Sequence, residues 1–268
     1  MATFSARPPV VQGALLMVGA TLGFSMMAGL IRFASASLDP LQVVFFRNVF
    51  ALMFMLPWLA RAGLGGLRTE RLGLHFARAA LGLCAMASWF SAVALLPLAQ
   101  AVALNFTVPL FATIAAALVL GEVVRLRRWS ATIVGFLGVL VIVRPGFETV
   151  SPATGLPILA ALIMAASATS IKALSRTEDP SAMVFYMNLF LTPMSLVPAL
   201  FVWQWPDPAT LAAVVGIGLL AAGSHQLMTR AFARADASAI VPFQYLRLPF
   251  TALIGFVAFA EVPDVWTW

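Results

Sequence analysis

Nine long apolar runs, separated by short polar connectors, dominate the pattern along this chain. A helix that spans a bilayer needs about 20 mostly apolar residues, and most of the runs approach or exceed that length. The connectors carry proline, glycine, aspartate or arginine, which are typical of helix ends and turns. The pattern therefore predicts nine membrane-spanning helices: Val10–Ala34, Leu41–Ala60, Leu72–Leu96, Ala99–Gly121, Trp129–Val143, Thr154–Leu174, Ala182–Trp203, Ala209–Met228 and Ala237–Ala260.

The basic residues are distributed unevenly between alternate connectors. With the N-terminus inside the cell, the outside connectors contain only Arg32 and Arg144, both at span ends. This asymmetry is the positive-inside signal of membrane proteins, and it predicts a cytoplasmic N-terminus. The inside connectors contain eleven basic residues: Arg7, Arg61, Arg68, Arg71, Arg125, Arg127, Arg128, Lys172, Arg176, Arg230 and Arg234.

A ten-residue pattern occurs twice, 140 residues apart. The first copy, IRFASASLDP, covers Ile31–Pro40, and the second, IKALSRTEDP, covers Ile171–Pro180. A repeat of this length indicates an architecture built from similar units. It divides the chain into a first half, residues 1–150, and a second half, residues 151–268.

The repeat also predicts a further span. Trp129 opens the fifth span seven residues after Glu122, and Trp268, the last residue, stands seven residues after Glu261. We expect ten spans in the natural protein, five per half, with the second half truncated here before its fifth helix; natural termination after nine spans is the alternative. Because five is odd, the halves would cross the membrane in opposite directions. Such inverted repeats are typical of transporters whose substrate site lies near the membrane midplane.

The composition supports an all-α integral membrane protein. Hydrophobic residues make up 62% of the chain and charged residues 10%, whereas an ordinary soluble domain carries about 25% charge. The formal net charge of +6 is better explained by topology than by affinity for nucleic acid. The single cysteine, Cys84, has no partner within the chain for a disulfide.

The motifs of both halves resemble the EamA family of the drug/metabolite transporter superfamily. The resemblance depends on DPLQVVFFRN at Asp39–Asn48 and on a proline-containing fourth span that closes on Leu120–Glu122. The second half repeats these features as DPSAMVFYMN at Asp179–Asn188 and as a ninth span with Pro249 that closes on Glu261. The resemblance implies two five-helix halves, an inner-membrane location and transport of small metabolites, often outward. It supplies no universal catalytic set.

Two ring side chains occupy equivalent depths in the third and eighth spans. Aligning these spans at a spacing of 136 residues pairs Trp89 with His225. On inverted helices such a pair is expected on opposite walls of one substrate cavity, and ordinary packing is the alternative. A buried histidine at position 225 is also a candidate carrier of a transported proton, because histidine titrates near neutral pH.

Prolines interrupt the fourth and ninth spans at Pro109 and Pro249. A proline within a helix leaves the carbonyl four residues earlier without its hydrogen bond. Exposed backbone at membrane depth is tolerated where it lines a water-filled cavity or meets protein, so these breaks predict a binding site; helix kinks for packing are the alternative. Polar residues cluster just before the prolines, namely Asn105, Thr107, Gln244, Tyr245 and Arg247.

The remaining ionisable residues of interest lie near span ends. Arg47 is either a substrate-binding guanidinium or a side chain that snorkels to the outer interface, and His75 is expected at the inner interface. Glu122 and Glu261 end their spans on opposite membrane faces. They are expected to cap helices or pair with basic neighbours, and a gate that closes one face at a time is the sharper hypothesis.

These observations favour a secondary transporter that works by alternating access in the inner membrane. The expected substrate is an amino acid or a similar amphipathic metabolite, moved outward; an uptake carrier for a metabolite or vitamin, or a passive facilitator, is the alternative. No metal-spaced cluster or nucleophile motif supports an enzyme, and no cofactor or metal is expected. The expected partners are the small-molecule substrate, the lipid bilayer and, if transport is coupled, protons; we expect a monomer or a weak homodimer.

Overall fold

A computed structural model describes residues 8–108, 110–111, 114, 130, 134, 137, 151–174, 177–232, 234–235 and 240–262. Within these residues all regular structure is helical. The predicted fifth span, Trp129–Val143, lies almost wholly outside the described residues, as do Pro109, Glu122 and Trp268. The α-helices are α1 (Pro9–Ala34), α2 (Pro40–Ala62), α3 (Leu72–Leu95), α4 (Leu98–Asn105), α5 (Gly155–Leu174), α6 (Pro180–Leu200), α7 (Pro208–Phe232) and α8 (Arg247–Phe259).

Helices α1, α2, α3, α6 and α7 are long and apolar enough to cross a membrane. Shorter apolar helical segments, Pro152–Ser167 and Phe243–Phe259, belong to the regions of α5 and α8. A helix rises 1.5 Å per residue, so α1 with its 26 residues extends about 39 Å, longer than the hydrocarbon core of a typical bilayer. The chain is therefore a multi-pass membrane protein.

The repeated Asp-Pro dipeptide marks a helix start in both copies. The Asp39 carboxylate accepts a hydrogen bond from the backbone N–H of Leu41 at 2.9 Å at the start of α2. The Asp179 carboxylate accepts hydrogen bonds from the backbone N–H groups of Ser181 at 2.8 Å and Ala182 at 3.1 Å at the start of α6. Aspartate as the cap and proline in the first turn are both favoured there, which explains why the sequence pattern recurs.

A third Asp-Pro dipeptide starts α7. Asp207 accepts hydrogen bonds from the backbone N–H of Thr210 at 3.1 Å and from the Thr210 hydroxyl at 2.6 Å. These bonds, led by the one from the hydroxyl, lower the pKa of Asp207 below its usual value. The carboxylate is therefore held in its ionised form at the positive end of the helix dipole.

The ninth predicted span is broken where the sequence predicted an interruption, but in a different way. Val241–Leu246 forms a 3-10 helix, and α8 begins at Arg247. Pro249 consequently lies in the first turn of α8, where a backbone N–H has no partner within the helix in any case. The break thus precedes the proline. In the first half, α4 ends at Asn105.

Contacts between the two halves are reciprocal. If the sequence repeat pairs α1 with α5, α2 with α6, α3 with α7 and α4 with α8, each contact across the halves has its counterpart. Helix α1 packs on α7 and α3 packs on α5; α2 packs on α7 and α3 packs on α6; α1 packs on α8 and α4 packs on α5. The pairs α2–α6 and α4–α8 are their own counterparts. One hydrophobic cluster includes residues of α1 to α5, α7 and α8, and a separate cluster joins α3 to α6.

Candidate functional site

A cavity of about 250 Å³ lies between the two halves. Its lining comes from the middle of α1, the end of α4, α5, α7, the 3-10 helix and the start of α8. This volume is slightly below the usual range of about 300–1,000 Å³ for ligand pockets. The lining residues are Met17, Thr21, Phe24, Asn105, Phe106, Val108, Met164, Met228, Gln244 and Arg247.

The cavity has apolar walls and a few polar groups, three of which the sequence predicted. Asn105 is 7% exposed, and its amide N–H donates to the Pro157 carbonyl at 3.4 Å. Gln244 belongs to the 3-10 helix and Arg247 opens α8. The breaks in the two helical segments therefore bring these side chains to one cavity.

Arg247 is the charged group of this lining. Its guanidinium carbon lies 4.9 Å from the centroid of the Trp89 ring, within the range of a cation–π interaction. The Nε of Arg247 is buried and has no hydrogen-bond partner among the described residues. A buried N–H without a partner is costly, so the guanidinium is suited to receive an acceptor atom from a ligand.

The two rings paired by sequence do not themselves line the cavity. Trp89 is 4% exposed, and its ring contacts the Arg247 guanidinium. His225 lies edge-on to Phe24 with a centroid distance of 5.0 Å, and its Nδ1 is 2.8 Å from the Ala221 carbonyl oxygen. Each ring therefore contacts one residue that lines the cavity: Trp89 contacts Arg247, and His225 contacts Phe24.

Tyr245 and Arg47 lie elsewhere. The Tyr245 side chain is 56% exposed, and its ring centroid is 5.2 Å from that of Phe106. Arg47 is buried at the contact between α2 and α6, so its guanidinium does not snorkel to the outer interface. It donates to the side-chain oxygens of Asn48 at 2.8 Å and Asn188 at 3.1 Å.

This second polar cluster joins the halves but not the cavity. Asn48 also donates to the Ser195 hydroxyl at 3.2 Å, and Asn48, Asn188 and Ser195 are all buried. Asn48 and Asn188 are equivalent positions of the repeat, which is the signal that could have indicated their proximity. Buried polar groups satisfied in this way fix one arrangement of neighbouring helices.

One end of the helix bundle is tied by Arg32 and Glu261. The guanidinium lies 3.1 Å from the Glu261 carboxylate and donates to the carbonyl oxygens that end α3, including that of Ala94 at 2.5 Å. Glu261 also accepts from the backbone N–H of Leu98 at 2.8 Å. Glu261 thus both caps α4 and pairs with a basic residue, as the sequence predicted.

The opposite end contains a buried histidine that the sequence placed at the interface. His75 is 1% exposed, because Tyr186 of α6 covers its ring at a centroid distance of 4.7 Å. Its Nε2 lies 3.6 Å from the Glu178 carboxylate. Among the described residues, no three His, Cys, Asp or Glu side chains are placed to hold a metal ion.

Comparison with known proteins identifies relatives over nearly the whole chain. The EamA-like transporter family matches residues 11–144 and 153–268. The chain is 36% identical over 263 residues to a riboflavin transporter of Vibrio cholerae, covering 96% of this chain and 88% of that protein. It is 31% identical to an S-adenosylmethionine uptake transporter of Rickettsia prowazekii, covering 87% of this chain and 79% of that protein.

A solved structure shares the fold. One crystal structure of a protein superposes with a TM-score of 0.69 at 18% sequence identity, over 96% of this chain and 91% of the other. At that identity the likeness concerns the fold alone.

Proposed function

The chain belongs to the EamA-like transporter family, and from this premise we propose that it carries riboflavin across the inner membrane. A membrane transporter for a small metabolite follows from the family and from relatives named as transporters, which fits a protein that is not an enzyme. The choice of riboflavin depends on the chemistry of the cavity.

The observation that carries this proposal is an aromatic cavity with two amide side chains. Phe24 and Phe106 offer flat apolar surface, which suits the planar isoalloxazine ring of riboflavin. The edge of that ring presents alternating carbonyl and N–H groups. The side-chain amides of Asn105 and Gln244 each offer a donor and an acceptor, so they can match this edge.

The charge of the lining discriminates between candidate substrates. S-adenosylmethionine carries a net positive charge, which the Arg247 guanidinium would repel inside a low-dielectric cavity. Riboflavin is neutral and supplies carbonyl oxygens that can accept from the unpartnered Nε of Arg247. The sequence predicted outward transport of an amino acid. The carboxylate of an amino acid would suit Arg247, but so small a substrate would leave much of the aromatic wall uncovered.

The reciprocal helix contacts support alternating access by two inverted repeats. Residues of both halves line the cavity, so a substrate bound there contacts both. A carrier of this kind saturates and exchanges substrate, whereas a passive channel does neither. In the proposed mechanism the halves rock about the cavity, and the imposed gradients set the net direction.

The test is riboflavin binding and counterflow with purified protein. Flavin fluorescence reports binding, and proteoliposomes preloaded with riboflavin report exchange of labelled substrate. We expect Asn105→Ala and Gln244→Ala each to raise Kd about fivefold, since one lost hydrogen bond is worth about 1 kcal/mol. Gln226→Ala is the matched control, because this glutamine lies in α7 outside the lining residues.

Two outcomes would overturn the proposal. The first is a wild-type protein that exchanges S-adenosylmethionine or an amino acid but not riboflavin. The second is riboflavin affinity that is equal in the wild type and in both cavity variants, because binding would then lie elsewhere.

A further inference from the structure

Two ion pairs lie at opposite ends of the helix bundle, and each joins the two halves. Arg32 of the first half pairs with Glu261 of the second at 3.1 Å. His75 of the first half faces Glu178 of the second at 3.6 Å. The separation of the two pairs can be estimated along α3. His75 lies in the first turn of this helix, and Ala94, whose carbonyl oxygen accepts a hydrogen bond from Arg32, lies in its last turn. At 1.5 Å per residue the two positions are about 28 Å apart.

The pairs differ in chemistry. Arginine keeps its charge at every physiological pH, so the Arg32–Glu261 pair persists across that range. Histidine changes charge near neutral pH, so the pair of His75 and Glu178 is an ion pair only when a proton is bound. One end of the protein is therefore fastened independently of pH, and the other end depends on a proton.

The His75–Glu178 pair lies in a buried site. The His75 side chain is fully buried and that of Glu178 is 6% exposed. Neither ring nitrogen of His75 has a hydrogen-bond partner among the described residues. Glu178 is held in place by the Thr69 hydroxyl, which donates to its second oxygen at 2.8 Å. A proton on the ring would replace an unsatisfied buried imidazole by a charge-assisted contact with a fixed carboxylate.

The neighbouring charged groups modulate this site without replacing it. Arg78 lies one turn later on α3, and its positive charge repels a proton on His75. The Arg78 guanidinium donates a hydrogen bond to the Met183 carbonyl oxygen at 3.1 Å. Asp179 is engaged in capping α6. The titratable and charged groups around the pair are Arg78 on α3, Glu70 and Arg71 in the α2–α3 connection, Asp179 in the α5–α6 connection and Tyr186 on α6.

We propose that His75 and Glu178 form the proton-binding site that couples transport to a pH gradient. Opening this end separates α3 from the α5–α6 connection and exposes both side chains to water. Proton binding therefore stabilises the closed end, and proton loss favours opening. A substrate that binds one state better than the other is then linked to the proton. This inference rests on the proposed transport function.

The site differs from the one that the sequence favoured. His225 contacts the Ala221 carbonyl and the Phe24 ring. His225→Gln should leave the pH dependence of transport in place.

The first test measures coupling in proteoliposomes. With one proton per substrate, a gradient of one pH unit sustains up to about a tenfold change in the riboflavin accumulation ratio. We expect this dependence in the wild type and in Glu70→Gln, which changes an exposed acid in the α2–α3 connection. We expect its loss in His75→Gln and Glu178→Gln. Wild-type accumulation that ignores the gradient while counterflow is normal overturns the coupling and leaves riboflavin transport intact.

The second test needs no substrate. Spin labels on cysteines at Glu70 and Thr177, both exposed positions in the two connections, report the distance across this end on a Cys84→Ser background. We expect the shorter distance to gain population as pH falls in the wild type, and no pH response in Glu178→Gln or His75→Gln. A distance distribution that is the same at acid and alkaline pH in the wild type overturns the proton site, whatever the substrate is.

Discussion

Gly218 of α7 packs closely against α2, so adding one methyl group there should destabilise the protein. A Cβ at this position would lie 2.4 Å from the Phe50 Cβ, 3.0 Å from the Ala51 backbone nitrogen and 3.1 Å from the Phe50 carbonyl carbon. Ordinary contacts exceed 3.4 Å, so the nearest atom must retreat by about 1 Å. These atoms belong to or adjoin the backbone of α2. The helix itself must therefore move, because no side-chain rotation can relieve the contact.

Gly223 provides the control for this prediction. It lies on the same helix, and a Cβ there would meet nothing within 4 Å. Glycine to alanine within a helix gains up to about 1 kcal/mol from helix propensity, and this gain is common to both variants. The difference in unfolding free energy between Gly218→Ala and Gly223→Ala therefore isolates the cost of the steric clash. Overpacking of this kind costs about 1–3 kcal/mol.

Thermal unfolding in detergent measures that difference. For a chain of this size each kcal/mol shifts Tm by roughly 2–4 °C, so Gly218→Ala should melt about 2–12 °C below Gly223→Ala. A Gly218→Ala variant that is as stable as Gly223→Ala would refute the close packing of α7 on α2. It would also remove the reason for a small residue at this contact.

Three further predictions concern contacts described above. Trp89→Ala should weaken riboflavin binding about 2- to 30-fold, because it removes the cation–π contact with Arg247, which lines the cavity; an unchanged Kd in fluorescence titrations would contradict this. Arg32→Ala and Glu261→Ala should each lower the free energy of unfolding, and the double variant should cost less than their sum; strictly additive effects in a denaturant series would exclude coupling. Asn188→Leu should cost about 1–3 kcal/mol, since it leaves a buried guanidinium short of an acceptor; a melting temperature equal to that of the wild type would count against the polar cluster.

The sequence predicted the helices well because their ends are chemically marked. The predicted spans Leu41–Ala60 and Leu72–Leu96 differ from α2 and α3 by at most two residues at either end. Asp39 and Asp179 fix the starts of α2 and α6 through local hydrogen bonds, and local chemistry is visible in sequence. Within the described residues, the ninth span differs from the prediction because a 3-10 helix precedes α8, and hydrophobicity alone does not distinguish these two helix types.

The apolar part of the cavity could not be predicted in the same way. Met17 and Phe24 belong to α1, which is apolar on all sides, so no periodicity separates its lipid-facing, protein-facing and cavity-facing positions. Polar residues within spans are rare, so Asn105, Gln244 and Arg247 could be selected. Arg47 satisfied the same criterion, yet it lies in the α2–α6 contact, because burial in a membrane protein signals a partner without specifying whether that partner is a ligand.

In the proposed mechanism, the position of the two helix breaks would give the cavity a role in switching as well as in binding. Asn105 ends α4 and Gln244 lies in the 3-10 helix before α8, so the two amides come from similar places in opposite halves. In the proposed mechanism, any rocking of one half against the other changes the distance between these amides. A rigid flavin ring that hydrogen-bonds both would then bind best at one separation. A ligand shifts a conformational equilibrium only by its difference in affinity for the states, and a pair of contacts that spans the moving boundary supplies such a difference. Contacts made to one half alone, such as those of Thr21 and Phe24 within α1, would travel with that half and supply none.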